Sequence, residues 1–182
     1  MAKFLLLYSS HDGQTRQIMT HIRQRLEGGG TVDFLDLHAA PPVKLSGYDA
    51  VLVGASIRYG HFSRVMRRYV SKHASELNGI PSAFMGVCLT ARKPEKRTPE
   101  TNIYLRKFLE RTPWKPGLAT AVAGALLYPR YKWYDRLAIQ MIMRMTGGET
   151  DPSKEIIYTD WAQVDAFCDR FASLASRQAQ PA

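Results

Sequence analysis

The sequence predicts a single α/β domain on a doubly wound, five-stranded parallel sheet. Three observations predict it. Short apolar runs alternate with longer segments of helical period, the pattern of strand–helix–strand units. The first run, Phe4-Leu5-Leu6-Leu7-Tyr8, is continuously apolar, as in a strand covered on both faces. The chain of 182 residues supplies one full core but hardly two.

After strand one, Gln14–Glu27 is rich in helix formers and is stopped by Gly28-Gly29-Gly30. Thr31–Leu37 alternates and reads as strand two; Ala50–Ala55 is a buried third strand. A helix over Ser63–Leu77 puts Val65, Met66, Tyr69 and Val70 on one face. Ser82–Leu89 is strand four, Thr101–Arg111 a helix, and Leu118–Leu126 an Ala- and Gly-rich strand five. Trp161–Ala175 closes the domain with the stripe Val164, Phe167, Cys168, Phe171 and Leu174. One domain therefore spans 1–176, with an insertion at 128–152 that is helical and loop, and a frayed tail at 177–182.

Composition narrows the class. No stretch approaches the ~20 apolar residues of a membrane span, and the N-terminus lacks the layout of a secretory signal. Cys88 and Cys168 stand outside any CxxC or metal spacing, so they read as reduced, buried small hydrophobes and no metal is expected. The net charge of +9 implies an anionic counterpart: nucleic acid, a membrane surface or an acidic substrate. No recognition motif or interleaved aromatic platform supports nucleic acid.

In an open α/β sheet the ligand lies beyond the carboxyl ends of the strands. There the first strand leads into Ser9-Ser10-His11-Asp12-Gly13-Gln14-Thr15. Hydroxyls at Ser10 and Thr15 around Gly13, with a helix start behind them, suit an anion; a plain helix cap by Asp12 is the alternative. Neither a GKS/GKT ending nor GxGxxG is present, which excludes the P-loop and the dinucleotide fingerprint.

The run Leu7–Thr15 resembles the flavodoxin phosphate loop, with Asp12 where flavodoxins usually carry a hydroxyl residue. Longer motifs resemble the menaquinone-dependent protoporphyrinogen oxidases (dehydrogenases) of the flavodoxin-like type. They are Asp12–Arg16, Gly54–His61, Ala91–Pro99, Ala123–Leu126, Tyr128–Tyr131, Trp133–Arg136 and Gly147–Asp151, across nearly the whole chain. The resemblance implies a flavodoxin-like fold and FMN. Ser10, His11, Asp12, Gly13, Gln14 and Thr15 would bind the cofactor, Asp12 by main chain alone with its side chain turned away as a helix cap. Ser56, Ile57, Arg58, Tyr59 and Gly60, with Leu89, Thr90, Ala91 and Arg92, would flank the flavin ring, Tyr59 stacking on it. The implied reaction takes protoporphyrinogen IX to protoporphyrin IX in three two-electron steps and passes electrons to a membrane quinone, menaquinone or ubiquinone. No side chain is assigned as general base.

Basic residues crowd Ala91–Lys115, and Lys93, Lys96 and Arg97, with Tyr128 and Arg130, are candidates for holding the substrate and its propionates. A solvated basic surface is the plain alternative. In Tyr131–Thr146, Trp133, Tyr134, Leu137, Ala138, Met141, Ile142 and Met145 share one helical face, opposite Lys132, Arg136, Gln140 and Arg144. This suits a peripheral helix on the cytoplasmic face of the inner membrane; a core helix or a contact in a homo-oligomer stays open. A flavodoxin-type electron carrier and an FMN-dependent NAD(P)H:quinone reductase are the competing functions.

Overall fold

The computed structural model describes residues 1–39 and 43–178, without the side chains of Arg177 and Gln178. Along the chain run β1 (Ala2–Ser9), α1 (Gln14–Glu27), β2 (Gly30–Asp36), β3 (Ala50–Arg58), β4 (His61–Phe62), α2 (Arg64–Lys72) and α3 (Ala74–Asn78). They are followed by β5 (Ser82–Val87), α4 (Ile103–Arg111), β6 (Leu118–Val122), β7 (Ala125–Leu127), α5 (Trp133–Met145), β8 (Glu155–Ile157) and α6 (Trp161–Gln178). The parallel strands lie in the order β2-β1-β3-β5-β6, and β4 folds back antiparallel on β3. The doubly wound sheet expected from the alternation is therefore present.

Residues Phe4 to Tyr8 explain the layering. Phe4, Leu6 and Tyr8 enter the core beneath α1 and α6, with Ile18, Ile22, Phe167 and Phe171. Leu5 and Leu7 enter the opposite core with Met66 and Val70 of α2, Leu77 of α3 and Leu105 of α4. Period-2 side chains on a doubly covered strand must both be apolar, which produces the continuous run. Cys88 and Cys168 are buried, free thiols, and burial pushes the Cys168 thiol up to about 11.

Three boundaries differ from the sequence reading. The helix expected over Ser63–Leu77 divides at His73, whose φ of −102° and ψ of 17° leave the helical region. Strand five ends at Val122; Ala125–Leu127 instead pairs antiparallel with Glu155–Ile157, away from the main sheet. The excursion after the fifth strand thus brackets the helix-and-loop segment 128–152 with a two-stranded pair. It carries its own small core of Leu126, Leu127, Tyr128, Tyr131 and Met143. The tail expected to fray from 177 is helical through Gln178, and 179–182 lie outside the described residues.

Candidate functional site

The chain leaving β1 turns at Gly13, whose φ of 90° lies in the left-handed region that favours glycine. The Ser10 hydroxyl accepts the Gly13 N–H at 3.1 Å, folding the loop back on itself. Gly13 is the N-cap of α1; no side chain caps that helix, and no acid stands in its first turn. Its leading N–H groups and the positive end of its dipole therefore face the loop, a ready site for an anion. Thr15 is only 1% exposed, and its Oγ1 has no partner among the described residues. An orphaned buried hydroxyl at the head of an uncapped helix suits one phosphate group.

Asp12 does not cap α1. Its carboxylate lies 3.9 Å from Arg58 and 4.0 Å from His11, and burial followed by the charge of Asp135 raises its pKa. The turn at Gly13 carries Asp12 away from the first helical turn and toward β3. Gln14 also behaves otherwise than a loop ligand. Its side-chain amide donates to Thr159 Oγ1 at 2.9 Å, and Thr159 donates to the Ala123 carbonyl at 2.8 Å. Gln14 thus has its main chain left for an anion, while its side chain fastens α1 to the far end of the sheet.

The second loop is a tight hairpin. Arg58 pairs with His61 across Tyr59 and Gly60, whose φ values of 49° and 78° match a type I′ turn. Gly60 accepts that geometry freely. Tyr59 is the one non-glycine with positive φ among the described residues, and such strain concentrates at functional sites. Its ring is 58% exposed with the Arg58 guanidinium 5.4 Å from the ring centroid, so it is available for stacking. Ser56 Oγ reaches the Ser9 carbonyl at 3.4 Å, while Ile57 packs on the α2 side of the core.

The third loop, Leu89–Arg92, is a 3₁₀ turn organised by a residue the sequence reading passed over. Asn102 is 1% exposed and caps α4, accepting the Tyr104 and Leu105 N–H groups. Its amide donates to the Lys96 carbonyl at 3.0 Å and reaches Thr90 Oγ1 at 3.3 Å. An asparagine directly before an apolar-periodic run is a capping signal that could have found it. Leu89 packs on the insertion core and Ala91 is buried in the α2–α4 core.

Several expected ligands are engaged elsewhere. Arg92 donates to the Thr146 carbonyl at 3.0 Å and to its hydroxyl at 2.9 Å, at the C-terminus of α5. Arg58 donates to Asp135 Oδ2 at 2.5 Å, near the start of the same helix. Arg97 pairs with Asp160 at 2.8 Å, and Arg130 holds Glu155 through two contacts of 2.8 and 3.1 Å. Tyr128 is fully buried with its hydroxyl on the Glu149 carbonyl at 2.8 Å. These five residues are structural ties, their polar groups already engaged within the protein. Lys93 and Lys96 are exposed and, among the described residues, make no ion pair.

The edge therefore offers an uncapped helix, an orphaned threonine, a strained aromatic hairpin and a third loop closing beside them. The chain matches the family described as Flavodoxin domain over residues 5–153. This protein belongs to the flavodoxin-domain family. Membership implies flavin binding, and the phosphate-loop geometry above fits it. A crystal structure of oxidised Flavodoxin 1 from Bacillus cereus superposes with a TM-score of 0.54 at 16% identity, covering 96% of this chain and 98% of that one. Two relatives are named "Protoporphyrinogen IX dehydrogenase [quinone]". The one from Escherichia coli (strain K12) is 50% identical over 96% of this chain and 97% of its own. The one from Leishmania major is 52% identical over 94% of this chain and 75% of its own.

The insertion helix α5 turns its apolar side outward. Trp133, Leu137, Met141 and Met145 are 72%, 59%, 63% and 80% exposed, whereas Asp135 and Met143 are buried. Among the described residues, no helix is long and apolar enough to cross a membrane.

Proposed function

We propose that this flavodoxin-domain protein oxidises protoporphyrinogen IX to protoporphyrin IX in three two-electron steps, with a quinone as acceptor and FMN as cofactor. The observation that carries the cofactor is the buried, unpartnered Thr15 hydroxyl at the uncapped start of α1. FMN supplies a two-electron redox couple. The first-turn N–H groups of α1 and the hydroxyls of Ser10 and Thr15 hold its phosphate. Tyr59 covers one side of the ring, and the turn at Leu89–Arg92 borders it. The substrate reading rests on the two dehydrogenase relatives, which align along almost the full chain.

The insertion helix supports delivery to a membrane quinone. Its exposed apolar face, flanked by Lys132 and Arg144, suits the headgroup boundary on the cytoplasmic side, with about 1 kcal/mol from each cation near anionic lipid. Packing α5 into a core would put these side chains inward instead.

An FMN-dependent NAD(P)H:quinone reductase would share the flavin loops. Stopped-flow mixing under anaerobic conditions separates the two, with protoporphyrinogen in one syringe series and NADH in the other. Rapid flavin bleaching by protoporphyrinogen alone supports the proposal; bleaching by NADH alone overturns it.

A further inference from the structure

A second feature lies at the same edge, on the side of β1 away from the third loop. A cavity of about 850 Å³ shares Ser10, Ser56 and Arg58 with the flavin loops and runs on to Asp36, His38, Arg64 and Arg67. That volume is in the range of small-molecule sites and far exceeds a single inorganic anion. Its polar wall is organised by a chain of contacts. His38 Nε2 lies 3.0 Å from Ser9 Oγ, Ser9 Oγ lies 2.8 Å from Ser63 Oγ, and Ser63 Oγ accepts the Met66 N–H.

The charges here run against local stability. Arg64 and Arg67 sit in the first turns of α2, where the helix dipole disfavours cations. At i, i+3 they share one face. Both are exposed, and neither makes an ion pair among the described residues. Among the described residues Asp36 is the one acid in the lining, and one of its oxygens already accepts the His38 N–H at 2.9 Å. Two arginines at a helix N-terminus, unpaired among the described residues, thus open on a roomy polar cavity.

We propose that this cavity receives the carboxylate arms of the tetrapyrrole substrate, with Arg64 and Arg67 as the pairing groups. The inference rests on the substrate reading above and moves the anion site from the Arg92–Arg97 loop, where both arginines are engaged, to the start of α2. Arg guanidinium matches carboxylate geometry in two-point contacts, so the pair selects the acid over its ester.

The test uses flavin-loaded, full-length protein and two probes, protoporphyrin IX and its dimethyl ester, with binding read by porphyrin fluorescence. The R64Q/R67Q variant should bind protoporphyrin IX at least 10-fold more weakly, bind the dimethyl ester as the unaltered protein does, and keep its FMN affinity. R68Q/K72Q, which removes the same charge from exposed positions of α2 outside the cavity, should leave protoporphyrin IX binding within 2-fold. Unchanged protoporphyrin IX binding in R64Q/R67Q overturns the inference, as does equal weakening toward the ester. Weakened FMN affinity in R64Q/R67Q assigns the cavity to the cofactor and also overturns it. Turnover of protoporphyrinogen by the unaltered protein is measured alongside: selective porphyrin binding without turnover contradicts the substrate reading and leaves the binding result standing.

Discussion

Arg58 and Asp135 join the hairpin after β3 to the insertion helix, with Nη2 and Oδ2 2.5 Å apart. The Asp135 side chain is 4% exposed against 32% for Arg58, and its other oxygen has no partner among the described residues. With Arg92 on Thr146 at the opposite end, α5 is fastened to two of the three flavin loops. The two ties explain how a helix with an outward apolar face is held without a large hydrophobic contact.

The pair should respond asymmetrically to substitution. R58A strands a buried carboxylate and should lower stability by about 3 kcal/mol, the lower end for a broken buried pair. D135N leaves a partly exposed guanidinium that water can reach, and should cost about 1 kcal/mol. Urea unfolding of both variants checks the order; a larger loss in D135N than in R58A would contradict it.

Asp12 predicts a pH effect. Its pKa in the folded protein lies above 3.8, chiefly through burial and next through the charge of Asp135. The folded state then holds the proton more tightly than the unfolded chain, so this group's contribution falls as pH rises from about 3.8 through the folded value. D12N should abolish that decline and raise the melting temperature at pH 7 more than at pH 3.5. Melting curves at the two pH values decide it, and an equal change at both would refute the assignment.

Thr15 separates folding from binding. Its hydroxyl has no partner among the described residues, so T15V should leave the flavin-free protein at least as stable as the original. FMN affinity should fall about 10- to 150-fold, in line with roughly 1.5–3 kcal/mol for a bond to a charged group. Fluorescence titration of FMN tests this, and an unchanged affinity would remove Thr15 from the phosphate site.

On α5, serine at Leu137, Met141 and Ile142 should change stability little, because these side chains are 59%, 63% and 49% exposed. Binding to anionic vesicles and turnover with a long-tailed quinone should drop, while a short water-soluble quinone still reoxidises the protein. Unchanged vesicle binding in the folded triple variant would refute the membrane role.

The sheet was legible because strands such as Phe4–Tyr8 are coded by their own neighbours. The phosphate loop was legible because glycine at 13 and hydroxyls at 10 and 15 are a local pattern. The roles of Arg92, Arg97 and Arg130 were not, since their partners Thr146, Asp160 and Glu155 lie 54, 63 and 25 positions away. Pattern shows that a cation is present; only tertiary packing decides whether it is already paired. Arg64 and Arg67 stand in the sequence with no acid between them, but the cavity beside them depends on β2 and β4 meeting α2.

Anaerobic titration of the oxidised flavoprotein with protoporphyrinogen IX tests the central claim most directly. Each porphyrinogen gives up six electrons and each flavin takes two. The account predicts three flavins bleached for every protoporphyrin IX formed, with fluorescence rising as the flavin absorbance falls. Flavin that stays oxidised in the presence of protoporphyrinogen, yet bleaches with NADH, would contradict it.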